Sequence, residues 1–283
     1  MVVNQFGQFG ALLKREIIEN RNLFISTPAL LAVIFFVFSV WVVSFVPSAE
    51  IATGIEYLSV LLDGLSPLQM APVFLLPAVP FIVTLYICAI IYLINSLYQD
   101  RKDASVLFWQ SMPVSNLQTV LSKVVTICAT APAFYVAILF VLYLLAVAML
   151  TALGLTYNVQ VAGLSYMFMA SVLSLLLIYL SAITTALWLL PSIGWLLLFS
   201  AFARKTPILW AVGVFILLGF LEDFVFGSQY LANWVESRSN PQQYMFFEFT
   251  DVVERLISYD MLFGVVVGSI LIAGAISMRR FID

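Results

Sequence analysis

Long apolar runs without charge alternate along this chain with short clusters of charged residues. Such runs cover Pro28–Val46, Leu68–Leu97, Val124–Leu150, Tyr166–Ala203, Pro207–Leu221 and Met261–Met278. A hydrocarbon core of roughly 30 Å requires about 20 helical residues at about 1.5 Å each. The pattern therefore predicts an all-α membrane protein with six transmembrane helices. The fourth run is too long for one straight span, and the fifth is short. Pro191, next to Gly194, offers a break in the fourth, which then reads as one crossing followed by a partly interfacial piece.

Charge placement supports six crossings. With a cytoplasmic N-terminus, the inner side receives Lys14, Arg15, Arg21, Arg101, Lys102, Lys123, Arg204, Lys205, Arg279 and Arg280, leaving Arg238 and Arg255 outside. The outer side takes most of the acids, among them Glu50, Glu56, Asp63, Glu222, Asp223 and Asp260. Lys and Arg in short loops set orientation. A seventh crossing within the fourth run would move Arg204, Lys205, Arg279 and Arg280 outside, so six is preferred, with both termini cytoplasmic.

The segments between spans carry helical patterns of their own. Phe6, Phe9, Leu13 and Ile17 form one stripe, with Lys14, Arg15 and Glu19 away from its centre. This reads as an amphipathic helix on the cytoplasmic face, the alternative being an ordinary positively charged flank. Thr27 is placed as an N-cap with Pro28 at the first helical position. Outside, Ile51, Ile55, Leu58 and Leu62 predict a short interfacial helix. Phe226, Tyr230 and Trp234 form a further stripe, and Val252, Val253, Leu256 and Ile257 another, with Asn240-Pro241 as the turn between them. Inside, Pro113 ends an apolar element, and Ser115 and Gln118 have capping-box spacing for a helix leading into the third span.

Composition agrees. The 283 residues are 63% hydrophobic and 10% charged, whereas soluble domains average about 45–50% and about 25%. Lipid is the solvent for much of this surface. A net charge of −3 gives no reason to expect nucleic acid. Cys88 and Cys128 sit inside apolar runs and read as buried small hydrophobes. The basic residues that follow a polar start do not make a signal peptide.

The cytoplasmic stretch from Tyr98 to Ser115 is the most informative. Asp100, Arg101, Lys102 and Asp103 follow the second span, then Val106, Leu107, Phe108 and Trp109, then Pro113. A short helix with an apolar aromatic face suits docking into a groove on a partner. A membrane-surface loop with Phe108 and Trp109 among headgroups fits the residues equally well. From Tyr98 to Lys123, the D-R-K-D, S-V-L-F-W, S-M-P-V-S and V-L-S-K pieces resemble the loop between spans two and three of ABC-2 type transporter permeases. The opening run Leu13 to Arg21 and the later run Gly194 to Pro207 are similar to their counterparts there.

The resemblance covers nearly the whole chain in order. It implies a single transmembrane permease domain over residues 1–283. Residues 1–27 would be an amphipathic connecting helix, 98–123 a cytoplasmic coupling loop and 222–260 an external loop. It further implies partner docking through Asp100, Arg101, Asp103, Val106, Phe108, Trp109 and Pro113. ATP and Mg would be bound by two copies of a separate ATP-binding subunit, and a second permease subunit would complete a homo- or heterodimer.

Chemistry of the chain's own is not expected. There is no phosphate loop, and the absence of histidine excludes the HExxH motif and every histidine-dependent triad. The chain is therefore not expected to be an enzyme, and no cofactor, metal or catalytic residue is assigned to it. Val124 to Ala203 carries no charge at all, whereas ion-coupled carriers usually keep charged groups in their spans. Gly264 and Gly268 form a G-x-x-x-G packing face. Pro72, Pro77 and Pro80 mark either an irregular stretch near a pathway or a loop-like start. Hydroxyls such as Thr84 and Ser171, with Asn95, line a cavity or are back-bonded to their own helices.

The sequence thus points to the membrane subunit of an ATP-driven exporter moving an amphipathic or lipid-like substrate across a bacterial cytoplasmic membrane. Rival readings are a non-transporting anchor or sensor that recruits a cytosolic partner, and an ion-coupled carrier using neutral side chains. Cysteines introduced at Ser105 and Thr206 are expected to react only with reagent on the cytoplasmic side, and one at Ser239 only from outside. Reaction of Thr206→Cys with an impermeant reagent outside intact cells rejects the six-span topology.

Overall fold

The computed structural model describes residues 5–102, 114–159, 161, 163–240, 244 and 246–279, with side chains from residue 7 onward. Among them every regular element is helical. In chain order these are α1 (Gln5–Glu19), α2 (Thr27–Phe45), α3 (Ser48–Leu62), α4 (Pro67–Met70), α5 (Val79–Lys102), α6 (Asn116–Val125), α7 (Ala131–Tyr157), α8 (Leu164–Trp188), α9 (Leu190–Phe202), α10 (Pro207–Phe226), α11 (Tyr230–Ser239), α12 (Phe249–Ile257) and α13 (Tyr259–Met278). A π-helical segment, Asn22–Ser26, leads into α2, and another, Thr126–Thr130, joins α6 to α7. A 3₁₀ segment, Ala71–Ala78, joins α4 to α5. Six stretches are long and apolar enough to cross a membrane: Asn22–Phe45, Pro67–Lys102, Asn116–Tyr157, Leu164–Trp188, Pro207–Phe226 and Tyr259–Met278. The chain is a multi-pass helical membrane protein.

Prolines explain where the helices deform. Both π segments end two residues before a proline, at Ser26 ahead of Pro28 and at Thr130 ahead of Pro132. Lacking an N–H, each proline cannot bond the carbonyl four residues back, and the ring crowds that carbonyl, so the helix widens there. Thr27 consequently does not cap α2. Its hydroxyl donates to the Asn22 carbonyl at 2.7 Å, and the residue before it, Ser26, is already helical. The fourth apolar run breaks the same way, at Leu189 (φ −87°, ψ 10°), two residues ahead of Pro191. Pro72, Pro77 and Pro80 start the second span as an irregular but helical stretch rather than a loop.

Two compact units make up the chain. One comprises Asn22–Leu85 and Pro132–Leu180. In it the stripe read on α3 buries Ile55 and Leu62, and Leu62 packs with Met70, Met167 and Ala170. The Tyr143 hydroxyl donates to the Phe74 carbonyl in the proline-rich segment.

The other unit comprises Met1–Arg21, Tyr86–Ala131 and Ser181–Asp283. Its core is α9 against α13. Glycines permit the approach: a Cβ on Gly194 would lie 2.8 Å from the Gly268 carbonyl oxygen, and one on Gly268 would lie 2.6 Å from the Leu190 backbone. Gly274 faces Leu198. Contacts thus advance together along both helices, which therefore run parallel. Most of α9 is buried, Leu190, Gly194, Leu197 and Ser200 included. The interfacial piece expected after the fourth span is instead a core helix, because its small residues fit the glycine face of α13.

Several helix ends meet in this unit. Arg101, near the end of α5, donates to the carbonyls of Ser200 (3.0 Å) and Phe202 (3.2 Å) at the end of α9. Arg279, just past α13, lies 3.8 Å from Asp100 on α5, and Glu16 of α1 lies 2.9 Å from Lys123 of α6. The stretch after residue 221 is also more helical than a loop: α10 continues through Phe226, and its Glu222 carboxylate accepts from the amides of Tyr230 (2.7 Å) and Leu231 (3.0 Å) at the start of α11.

Replacing Gly268 by Ala is expected to cost about 1–3 kcal/mol, because backbone rather than a flexible side chain occupies the space. Gly213→Ala, with nothing within 4 Å of its Cβ, is expected to be neutral. Thermal unfolding of the two purified variants in one detergent checks the contrast.

Candidate functional site

The site forms where the chain enters and leaves residues 103–113, which lie outside the described residues. At the far end, the Ser115 hydroxyl accepts from the Gln118 amide and the Gln118 side chain accepts from the Ser115 amide, both at 3.1 Å. This capping box fixes the start of α6. Two turns later the helix turns Thr119, Val120, Ser122, Lys123 and Val124 inward. Lys123 is only 2% exposed. A buried ammonium is tolerated only when paired and hydrogen-bonded, and here the partners come from two other places in the chain.

Lys123 Nζ lies 2.9 Å from Glu16 Oε1 and 3.5 Å from Asp100 Oδ2. The second oxygen of Glu16 accepts from the Tyr92 hydroxyl at 2.6 Å. Asp100 Oδ1 meets Arg15 at 3.4 Å, and Arg279 approaches Oδ2 at 3.8 Å. Arg15 also reaches Glu19 at 2.6 Å. Three cations face three carboxylates, so the knot is neutral. Burial opposes the charge on Arg15, but Glu19, Asp100 and Glu16 outweigh it and raise its pKa. Burial lowers the pKa of Arg279, with Asp100 opposing. The knot ties α1, the end of α5, α6 and the end of α13 into one body around the loop's two roots.

These contacts revise the first helix. Its buried edge is centred on Leu12 and Glu16, with Leu13 and Ile17 only half-buried, because Lys123 and Tyr92 draw Glu16 inward. The helix is docked on α6 rather than only resting on a surface, and Phe6 lies outside the described side chains. A turn at Asn20 and the π-helical Asn22–Ser26 follow α1 and lead into α2.

The residues expected to dock a partner divide into two groups. Asp100 is buried in the knot, and Arg101 is held on the end of α9. Asp103, Val106, Phe108, Trp109 and Pro113 lie outside the described residues. Sequence reasoning missed Glu16 and Lys123 as a pair. The available signal was a lysine on the apolar face of α6, which requires a buried acid somewhere.

At the other end of α13 a second clamp holds Arg238, 5% exposed. Its guanidinium lies over the rings of Trp188 (4.3 Å) and Trp234 (4.7 Å), donates to the Trp188 carbonyl at 2.6 Å, and also donates to the Asp260 carbonyl. Gly264, read as a packing glycine, leaves the space for this guanidinium: a Cβ there would fall 2.4 Å from it. Burial lowers the Arg238 pKa, with Asp260 opposing and Arg255 adding to the effect. Of the span polar groups, Thr84, Asn95, Thr126 and Ser171 donate to carbonyls of their own helices, as back-bonded groups do.

No protein-family model, characterised protein or solved structure matches this chain.

Truncating Lys123 to Ala is expected to cost about 3–5 kcal/mol, because Glu16 and Asp100 are left buried without their cation. Adding Glu16→Gln to Lys123→Ala is expected to cost less than the two single changes summed. Unfolding of the three variants in detergent measures the coupling.

Proposed function

We propose that this chain is the membrane subunit of an ATP-driven transporter of the ABC-2 type, working as an exporter of amphipathic or lipid-like molecules. The observation that carries the reading is the knot at the roots of the 103–113 loop. A loop anchored through Asp100 and Lys123 to α1, α6 and α13 can pass a push from below into several membrane elements at once. A loop serving only to connect two spans has no use for buried ion pairs at both ends. In this reading Asp100 and Arg101 hold the loop from within, while Phe108 and Trp109 on it meet a cytosolic ATP-binding subunit. ATP and Mg belong to that subunit, two copies of which serve a pair of permease chains. The cytoplasmic side is the side of the knot, where the basic residues collect.

Energy supplied from below also fits the spans. A charge at mid-membrane costs roughly 2.5–3.5 kcal/mol on insertion scales, and ion-coupled carriers accept that cost because their mechanism uses the charge. Here the charged groups gather at helix ends. A mostly apolar interior suits an amphipathic cargo.

The test is affinity purification of the full chain from its native membranes, with a phosphate-loop ATPase expected to accompany it. Buried aromatic anchors often contribute 2 kcal/mol or more to an interface, roughly thirtyfold in affinity. Trp109→Ala is therefore expected to reduce the ATPase recovered by about that factor. Tyr230→Ala, on the far side and 79% exposed, is expected to leave recovery unchanged. If no ATPase accompanies the unaltered chain, transport by this route is rejected and the anchor reading replaces it. If one accompanies Trp109→Ala undiminished, with coupled activity intact, the loop is a membrane-surface segment.

A further inference from the structure

The turn from α9 to α10 gathers positive charge. It runs from Ala203 to Thr206, whose backbone is left-handed at φ 47°, and Arg204 and Lys205 on it are exposed. Arg101 joins them from α5. Its guanidinium is spent on the Ser200 and Phe202 carbonyls, at 3.0 and 3.2 Å, rather than on a carboxylate. Arg204 stands close enough to repel it. Among the described residues no Asp or Glu forms an ion pair with Arg101, Arg204 or Lys205. The contrast with the knot is sharp, since there each cation meets a carboxylate. The carboxyl end of α9 offers Arg101 a partial negative charge, but Arg204 and Lys205 extend past it.

Directly beside these cations the surface is apolar and aromatic. Phe202 and Trp210 are each about half exposed, 49% and 50%, with their rings edge to face at 5.9 Å. Ile208 and Leu209 continue the exposed face along the first turn of α10, which is a span. Cations and an indole at the end of an apolar helix match the chemistry of the headgroup region.

We propose that this corner, with Arg101, Arg204 and Lys205 set against Phe202 and Trp210, binds the headgroup of an anionic phospholipid. Arg204 and Lys205 receive the phosphate, which in such a lipid has no headgroup cation to balance it, Arg101 adds to the positive field from the helix end, and the exposed face of α10 receives the acyl chains. A free phosphate shares the anionic chemistry but gains nothing from the apolar wall, so a lipid is the occupant. The assignment uses only the membrane-embedded fold and stands or falls apart from the ATPase partner.

The experiment is native mass spectrometry of the full chain released from micelles containing equal amounts of phosphatidylglycerol and phosphatidylcholine. The unaltered protein is expected to retain phosphatidylglycerol preferentially. Each basic residue near a membrane surface contributes about fivefold to such binding, so Arg204→Gln with Lys205→Gln is expected to remove most of the preference. The charge-keeping pair Arg204→Lys with Lys205→Arg is expected to retain it, and so is Lys14→Gln, which removes an exposed charge elsewhere. Millimolar inorganic phosphate is expected not to displace the lipid. Absence of a preference in the unaltered chain overturns the proposal. So does equal loss in the charge-keeping pair, equal loss in Lys14→Gln, or displacement by inorganic phosphate, which identifies a small-anion site instead.

Discussion

Lys123 has almost no access to solvent, and Glu16 and Asp100 reach its ammonium from distant parts of the chain. The rest of one unit is arranged around that pairing. Glu16 must face inward, so α1 docks by the edge that carries it. Asp100 must reach the same point, so the last turn of α5 is drawn against α6. Arg15 and Arg279 then balance the second carboxylate. Replacing buried ions by apolar groups is often neutral or stabilising, whereas removing one partner is costly. The knot is therefore better understood as a device that fixes which helix ends meet than as a source of net stability.

Opposite the knot, Arg238 solves a related problem with different means. Among the described residues no carboxylate forms an ion pair with it, and carbonyl oxygens and two indole faces supply its partners. The two clamps lie near opposite ends of α13, and between them α9 and α13 approach through glycines. Membrane helices gain little from apolar burial alone, since lipid is as apolar as a leucine side chain. Close backbone contact and satisfied polar groups do the work instead. Both are present here, and they are concentrated in the unit that carries the loop roots.

The deformations of the spans follow one rule. The two π segments and the bend at Leu189 each lie just ahead of a proline. Such irregularities are tolerated within a membrane only where the freed backbone groups find other partners. The Tyr143 hydroxyl on the Phe74 carbonyl, three residues ahead of Pro77 in the 3₁₀ segment, is one such replacement.

The six apolar stretches and the helical class were legible in the sequence, because each rests on local quantities: the length of an apolar run and the spacing of a stripe. The capping box at Ser115 and the break near Pro191 are equally local, since they depend on groups a few residues apart. The pairing of Glu16 with Lys123, across the whole of the first two spans, was not legible. Nothing in either neighbourhood says which buried acid will meet which buried cation, because many folds place a lysine near a carboxylate. Gly264 shows the same limit. Its spacing to Gly268 announces a close approach, but that an arginine side chain and not a helix fills the gap depends on where α11 lands. Tertiary structure alone decided these matters, as they are settled by which surfaces exclude water together, and that is a property of the assembled chain rather than of any one segment.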